Sequence, residues 1–103
     1  MELTLLDRLL LPGIFPKEGN MKELIIRKDL KKKIVFTQEE LTKYGIDFKG
    51  EQILWNQEGA EAKFKYKFSD LEKAEVVSAL TKMDEEKKLT EEFMDLYDKF
   101  IKK

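Results

Sequence analysis

Apolar residues along this chain recur with two different periods, and the places where the period changes mark its elements. Leu3, Leu6, Leu9 and Leu10 fall at helical spacing and predict a short amphipathic helix over residues 2–11. Pro12 ends it by restricting the residue before it, and Pro12-Gly13 suits a turn. Ile14 and Phe15 then return the chain to the core, and Pro16 fixes the next bend.

Asn20 followed by Glu23 reads as the start of a second helix, with the Asn oxygen capping a free N–H. On it Met21, Leu24 and Ile25 share one face, while Ile26, Leu30 and Ile34 lie on nearly the opposite one. Two apolar faces predict a central helix buried on both sides. A distortion near Arg27 or an oligomer contact accounts for the same pattern.

In "FTQEEL", Thr37 and Glu40 form a capping box, and Phe36 and Leu41 occupy the two positions of a hydrophobic staple. This short helix ends near Tyr44-Gly45. "IDFKGEQILW" reads as a β-hairpin around Gly50, and "NQEGAE" as a turn. "KFKYKF" alternates strictly, so Phe64, Tyr66 and Phe68 face one side and Lys63, Lys65 and Lys67 the other. Together these runs predict a three-stranded antiparallel meander.

Ser69 and Glu72 make another capping box, opening a helix whose Val76, Val77, Leu80 and Met83 share a face. "DEEKKLT" closes it, and Thr90 is placed to cap a last helix with Leu89 and Met94 as a second staple. Phe93, Leu96, Tyr97, Phe100 and Ile101 give that helix one wide apolar face. Glu91 and Glu92 sit at its positive end and Lys99, Lys102 and Lys103 at its negative end, as the dipole favours. The expected fold is a single α+β domain over residues 1–103, with about five helices around a small three-stranded antiparallel sheet. The alternative is a winged-helix-like core with C-terminal helices.

Composition narrows the chemistry. The chain has 103 residues, 42% hydrophobic and 40% charged, with seven Phe, three Tyr and one Trp, which suits a folded, highly soluble domain. Twenty basic against twenty-one acidic residues leave a net charge of -1, so no broad field attracts nucleic acid, although a local patch can. There is no cysteine and no histidine. Disulfides, a thiolate nucleophile and the usual structural zinc sites are therefore excluded, and the side chain best suited to proton transfer near neutral pH is missing. We expect no enzyme, no catalytic residue, no metal site and no cofactor.

No apolar run approaches the roughly 20 residues that cross a bilayer. Glu2, Asp7 and Arg8 spoil the opening apolar run as an export signal, which predicts a protein that starts at Met1 and stays in a cytoplasm, without membrane association.

Each remaining constellation has a plainer reading beside the functional one. Asp95 and Asp98, and the Asp84, Glu85, Glu86 cluster, offer oxygens to a hard cation or an acid/base pair, but read better as solvated helix faces balanced by lysines. "KEGN" lacks the glycines and the Gly-Lys-Ser/Thr end of a phosphate loop, and Glu18 and Glu23 would repel the anion, so capping is preferred.

"KFKYKF" interleaves lysines with aromatics, yet alternation separates them onto opposite faces, unlike a base-stacking platform. Nucleic acid remains a candidate partner through Lys63, Lys65 and Lys67 together with Arg27, Lys28, Lys31, Lys32 and Lys33 of "RKDLKKK". The recognition helix of a winged-helix reading would carry "QEELTKY", poor equipment for approaching phosphates. Trp55 suits either a core position or a binding hot spot.

In order and spacing, "LLDRLLLPGIFPKEGN", "FTQEE", "ILWN" and "ALTKMDEEKKLTEEFMDLYDKF" resemble a group of small proteins of unknown function encoded by bacteriophages and prophages of Gram-positive bacteria. The chain departs from that pattern in "KFKYKF", where a more acidic stretch is expected, and at Phe93, where a histidine is expected. The resemblance implies phage origin and expression in the host cytoplasm, and brings no known activity.

The leading expectation is a non-enzymatic phage accessory protein that binds another protein, such as a host factor or defence system. Its candidate contact residues are Trp55, Phe93, Leu96, Tyr97, Phe100 and Ile101. The alternatives are nucleic-acid binding through the lysines above, and a structural subunit or homodimer joined through the wide C-terminal face.

Overall fold

The computed structural model describes residues 1–101; Lys102 and Lys103, expected at the negative end of the last helix, lie outside the described residues. The chain opens with strand β1 (Glu2–Thr4) and helix α1 (Leu5–Leu10), which runs into a 3-10 turn, Leu11–Ile14. Helices α2 (Met21–Ile34) and α3 (Gln38–Lys43) follow, then the hairpin β2 (Asp47–Lys49) and β3 (Gln52–Leu54). Helix α4 (Gln57–Glu61), strand β4 (Lys63–Lys65), helix α5 (Asp70–Glu85), a 3-10 turn at Glu91–Phe93 and helix α6 (Met94–Phe100) complete it. This is an α+β fold, with six helices and two small antiparallel sheets among the described residues.

The capping boxes are where the sequence placed them. Asn20, Thr37 and Ser69 each accept from the backbone N–H three residues on, and Glu23, Glu40 and Glu72 each reach back to the cap N–H. Gly45 (φ 59°) ends α3 and Gly50 (φ 59°) turns the hairpin, both in the left-handed region that glycine adopts without a Cβ clash. Thr90 makes no side-chain cap, and the last helix winds up through the 3-10 turn instead.

The three-stranded meander does not form. β2 pairs only with β3, through Phe48 opposite Ile53, while β4 pairs with β1, through Phe64 opposite Leu3. The expected turn at residues 56–61 is helix α4, capped by the Asn56 side chain on the Gly59 N–H, and it carries the chain away from the hairpin. Met1 and Tyr66 then exchange backbone hydrogen bonds of 2.9 and 2.8 Å, drawing the opening residues out of the expected helix and into a strand. A fourth capping box, Thr4 with Asp7, sets the true start of α1. The winged-helix alternative falls with the meander: all six hairpin residues are exposed, and β4 has taken another partner.

The central helix is α5, not α2. α5 packs against α2, α6 and the first 3-10 turn, burying Val76, Ala79 and Leu80. Leu3, Leu11, Leu30, Ile34 and Leu96 close the core around it, each at most 1% exposed and each contributing about 1.5–3 kcal/mol by leaving water. "KFKYKF" behaves as its alternation implies: Phe68 is buried, Phe64 and Tyr66 are half-buried, and the three lysines are exposed.

Four charged side chains are buried and paired. Asp7 receives Lys99, Arg8 binds Glu40, Arg27 binds Glu75, and Glu72 receives Lys33. The two charges that interrupt the opening apolar run are thus interior. Arg8 donates to the Ile34 carbonyl at 3.1 and 3.0 Å and to the Val35 carbonyl at 3.0 Å, which are orphan acceptors at the end of α2. Its guanidinium also lies 3.9 Å from the centre of the Phe36 ring and 4.5 Å from that of Phe64.

Candidate binding groove

Only one face of α2 is buried, the one carrying Arg27, Leu30 and Ile34. The other apolar face predicted from the sequence is open: Met21, Leu24 and Ile25 are 69%, 37% and 52% exposed, and Val35 just beyond the helix is 65% exposed. The expectation of a helix buried on both sides fails because α5 covers one face and no described residue covers the other.

At the edge of that open face, sharing Leu24 and Val35 with it but not Met21 or Ile25, runs a groove of about 680 Å³ between α2 and the segment of residues 12–17. Its apolar lining includes Pro12, Phe15, Leu24 and Val35. Its charged lining is Lys17, Arg27, Lys28, Lys31 and Lys32, with no carboxylate. In a chain of net charge -1, that is a strong local segregation.

Arg27 builds the groove and is not free within it. Its Nε donates to Glu75 at 2.8 Å, and its Nη1 donates to the carbonyls of Pro16 and Glu18 at 3.2 and 3.1 Å. The guanidinium thereby clamps the far wall against α2 and α5. A Cβ on Gly19 would approach Arg27 Nη1 to 2.8 Å, so glycine lets the wall lie this close. "KEGN" is accordingly a wall and a helix cap. Lys17, Lys28, Lys31 and Lys32 make no ion pair or hydrogen bond with any described residue.

The eight cations proposed for nucleic acid are therefore divided. Lys28, Lys31 and Lys32 line the groove, with Arg27 beneath them. Lys33 turns to the other side of α2, donating to Glu72 at 2.6 Å and to the Lys67 carbonyl at 3.2 Å. Burial acts to raise the Glu72 carboxyl, but the Lys33 hydrogen bond and charge and the Ser69 cap outweigh it and hold the group below its ordinary value. Lys63 lines a different recess beside Glu58 and Glu61, and Lys65 stands opposite Glu2 on β1. None of the strand lysines lines the groove.

The C-terminal face is mostly spent on the core. Leu96 is fully buried, and Phe93, Tyr97, Phe100 and Ile101 are half-buried and packed against the cluster around α5. What remains open there is a recess of about 230 Å³ beside Asp84, Phe93, Met94 and Tyr97. Burial and then the Asp84 carboxylate raise the Tyr97 hydroxyl above its ordinary value. Trp55 is half-buried over α4, where a Cβ on Gly59 would meet its ring at 3.3 Å. Lys17 and Val35 were not singled out from sequence, and the available signal was the second apolar stripe of α2, which the core does not use.

Among the described residues no group of three or more acidic side chains is placed to hold a metal ion, and no helix is long and apolar enough to cross a membrane. No family model, curated protein or solved structure matches the chain.

Proposed function

We propose that this chain is a non-enzymatic accessory protein, of phage or prophage origin, that works in the host cytoplasm by binding another protein through the groove beside α2. The observation that carries this reading is the pairing of an open apolar stripe with four uncommitted lysines. Core-forming side chains left in water at this density mark interaction surfaces. The four buried charges among the described residues are paired within the fold, whereas the exposed lysines around the groove carry no ion pair and stay available to a partner.

A protein partner suits the groove better than nucleic acid does. Phosphate contacts use cations and polar groups and gain nothing from an apolar floor, and single-strand recognition uses exposed rings to stack bases. Phe15, the groove's aromatic residue, is only 9% exposed. The reading moves the contact surface from Trp55 and the α6 face to α2.

The test is photocrosslinking in a Gram-positive host, with the photoreactive residue at Val35 in one variant and at Phe48 of the hairpin, 61% exposed, in another. A protease-sensitive, nuclease-resistant adduct from Val35 and none from Phe48 is expected. Nuclease-sensitive adducts, adducts only from Phe48, or none from either position overturn the reading.

A further inference from the structure

Helix periodicity specifies what the groove can hold. At 100° per residue, positions 24, 28 and 31 of α2 fall within about 60° of one another, and Val35, the extended C-cap one turn further on, lines the same groove, so Leu24, Lys28, Lys31 and Val35 follow one another along it. The stripe reads apolar, cation, cation, apolar, and its apolar ends stand about 16 Å apart along the axis. Lys32 flanks it on one side, and Lys17 stands on the opposite wall. Arg8 holds the Val35 carbonyl and Arg27 holds the opposite wall, so both sides of the groove are fixed before anything binds.

Resting on the protein-binding reading above, we propose that the occupant is an acidic amphipathic helix of the partner protein. Its complementary stripe carries apolar side chains eleven residues apart and carboxylates at the two positions between them. A helix matches because it repeats the same axial intervals of about 6.0, 4.5 and 6.0 Å, setting each apolar end on Leu24 or Val35 and each carboxylate on Lys28 or Lys31. An extended strand repeats its same-side positions about every 6.8 Å and misses the middle interval. The lysines supply register and rate of encounter, while the apolar ends and the walls of residues 12–16 supply most of the affinity. Cations that no described residue neutralises repel a basic partner, so the device also rejects wrong partners.

The experiment is fluorescence anisotropy on the full chain with synthetic peptides of about 16 residues, long enough to hold a helix when stapled. One stapled peptide carries leucines eleven residues apart with glutamates at the two intermediate stripe positions. A second moves the glutamates to the opposite face, and a third carries proline at its centre. A DNA duplex and the chain itself at high concentration complete the set.

The first peptide is expected to bind at least about tenfold tighter than the second or third, and to lose about tenfold or more against K28E/K31E. Both lysines are exposed and unpaired, so the variant should stay folded with a melting temperature only slightly below the parent's, the carboxylates near the end of α2 opposing its dipole, which circular dichroism checks. Equal binding of the first two peptides, equal binding to K28E/K31E, equal or tighter binding of the proline peptide, or preference for DNA or for a second copy overturns the proposal. If no peptide binds while Val35 still crosslinks to protein, the acidic-helix inference fails and the protein-binding reading stands. If Val35 yields no protein adduct, that reading fails as well.

Discussion

Arg8→Ala is the substitution that most strains this account of how the groove is held. Arg8 is 3% exposed and joins three elements: it sits on α1, ties the end of α2 through Ile34 and Val35, and pairs with Glu40 on α3 at 2.8 Å. Removing it orphans two carbonyl acceptors, together about 2 kcal/mol because one lies at the partly exposed Val35. Loss of the cation over the Phe36 and Phe64 rings adds about 1 kcal/mol. The freed Glu40 adds little, since its side chain is 26% exposed and rehydrates. The total is about 3 kcal/mol, a large share of the ~5–15 kcal/mol that holds a domain of this size.

Arg8→Lys keeps the charge but loses the planar fork, and should cost about half as much. Glu40→Gln leaves the buried Arg8 charge without its carboxylate and should cost about 2–3 kcal/mol. Urea denaturation near neutral pH measures all three from shifts in the midpoint at constant slope. A cost below about 1 kcal/mol for Arg8→Ala, or Arg8→Lys matching the parent, would refute the argument that the fork holds the α2 terminus.

Further expectations follow from the same contacts. The Arg8 hydrogen bond, outweighing a smaller effect of burial, holds the Glu40 carboxyl below its ordinary 4.5, and Glu72 is lowered likewise. Depressed folded values mean stability that is present above pH ~4.5 and lost as pH falls through them, so urea midpoints should drop on acidification and drop less steeply in Glu40→Gln. Met21→Gln and Ile25→Gln should each change stability by less than about 0.5 kcal/mol, whereas Leu30→Ala on the opposite face should cost about 2–5 kcal/mol, as thermal melts will show. Gly45→Ala should cost about 1–2 kcal/mol, because φ there is 59° and an L side chain is strained in that region. Hydrogen exchange should find the amides of β2 and β3 among the least protected, since an isolated two-stranded hairpin with every residue exposed is marginal.

Local chemistry was legible and long-range pairing was not. The pairs Asn20 with Glu23, Thr37 with Glu40 and Ser69 with Glu72 announce helix starts because each box closes within one turn. The pairing of β4 with β1 joins residues some sixty positions apart, and no periodicity in either segment says which of two available edges it takes. Residues 2–4 show the cost of this, since Leu3, Leu6, Leu9 and Leu10 at helical spacing mask a strand whose partner lies at residues 63–65.

The burial of Asp7 and Arg8 was illegible for the same reason, as the groups that make it tolerable are Lys99 and the carbonyls ending α2. The stripe of α2 was the instructive case. Its second apolar face was visible in the sequence, and an oligomer contact was among its explanations, but only the packing shows that no described residue covers it. The walls of residues 12–17 could not be foreseen, because Arg27 sets them through backbone carbonyls.

The central claim is that the open face of α2 is a protein-binding groove selective for an acidic helix. Nitrogen-15 NMR titration of the full chain with the stapled acidic peptide tests it residue by residue. Shifts that saturate together are expected at Gly13, Lys17, Leu24, Lys28, Lys31 and Val35, with Phe48, Trp55 and Tyr97 unmoved. Saturable shifts centred on the hairpin, Trp55 or the α6 face, with the groove silent, would contradict it.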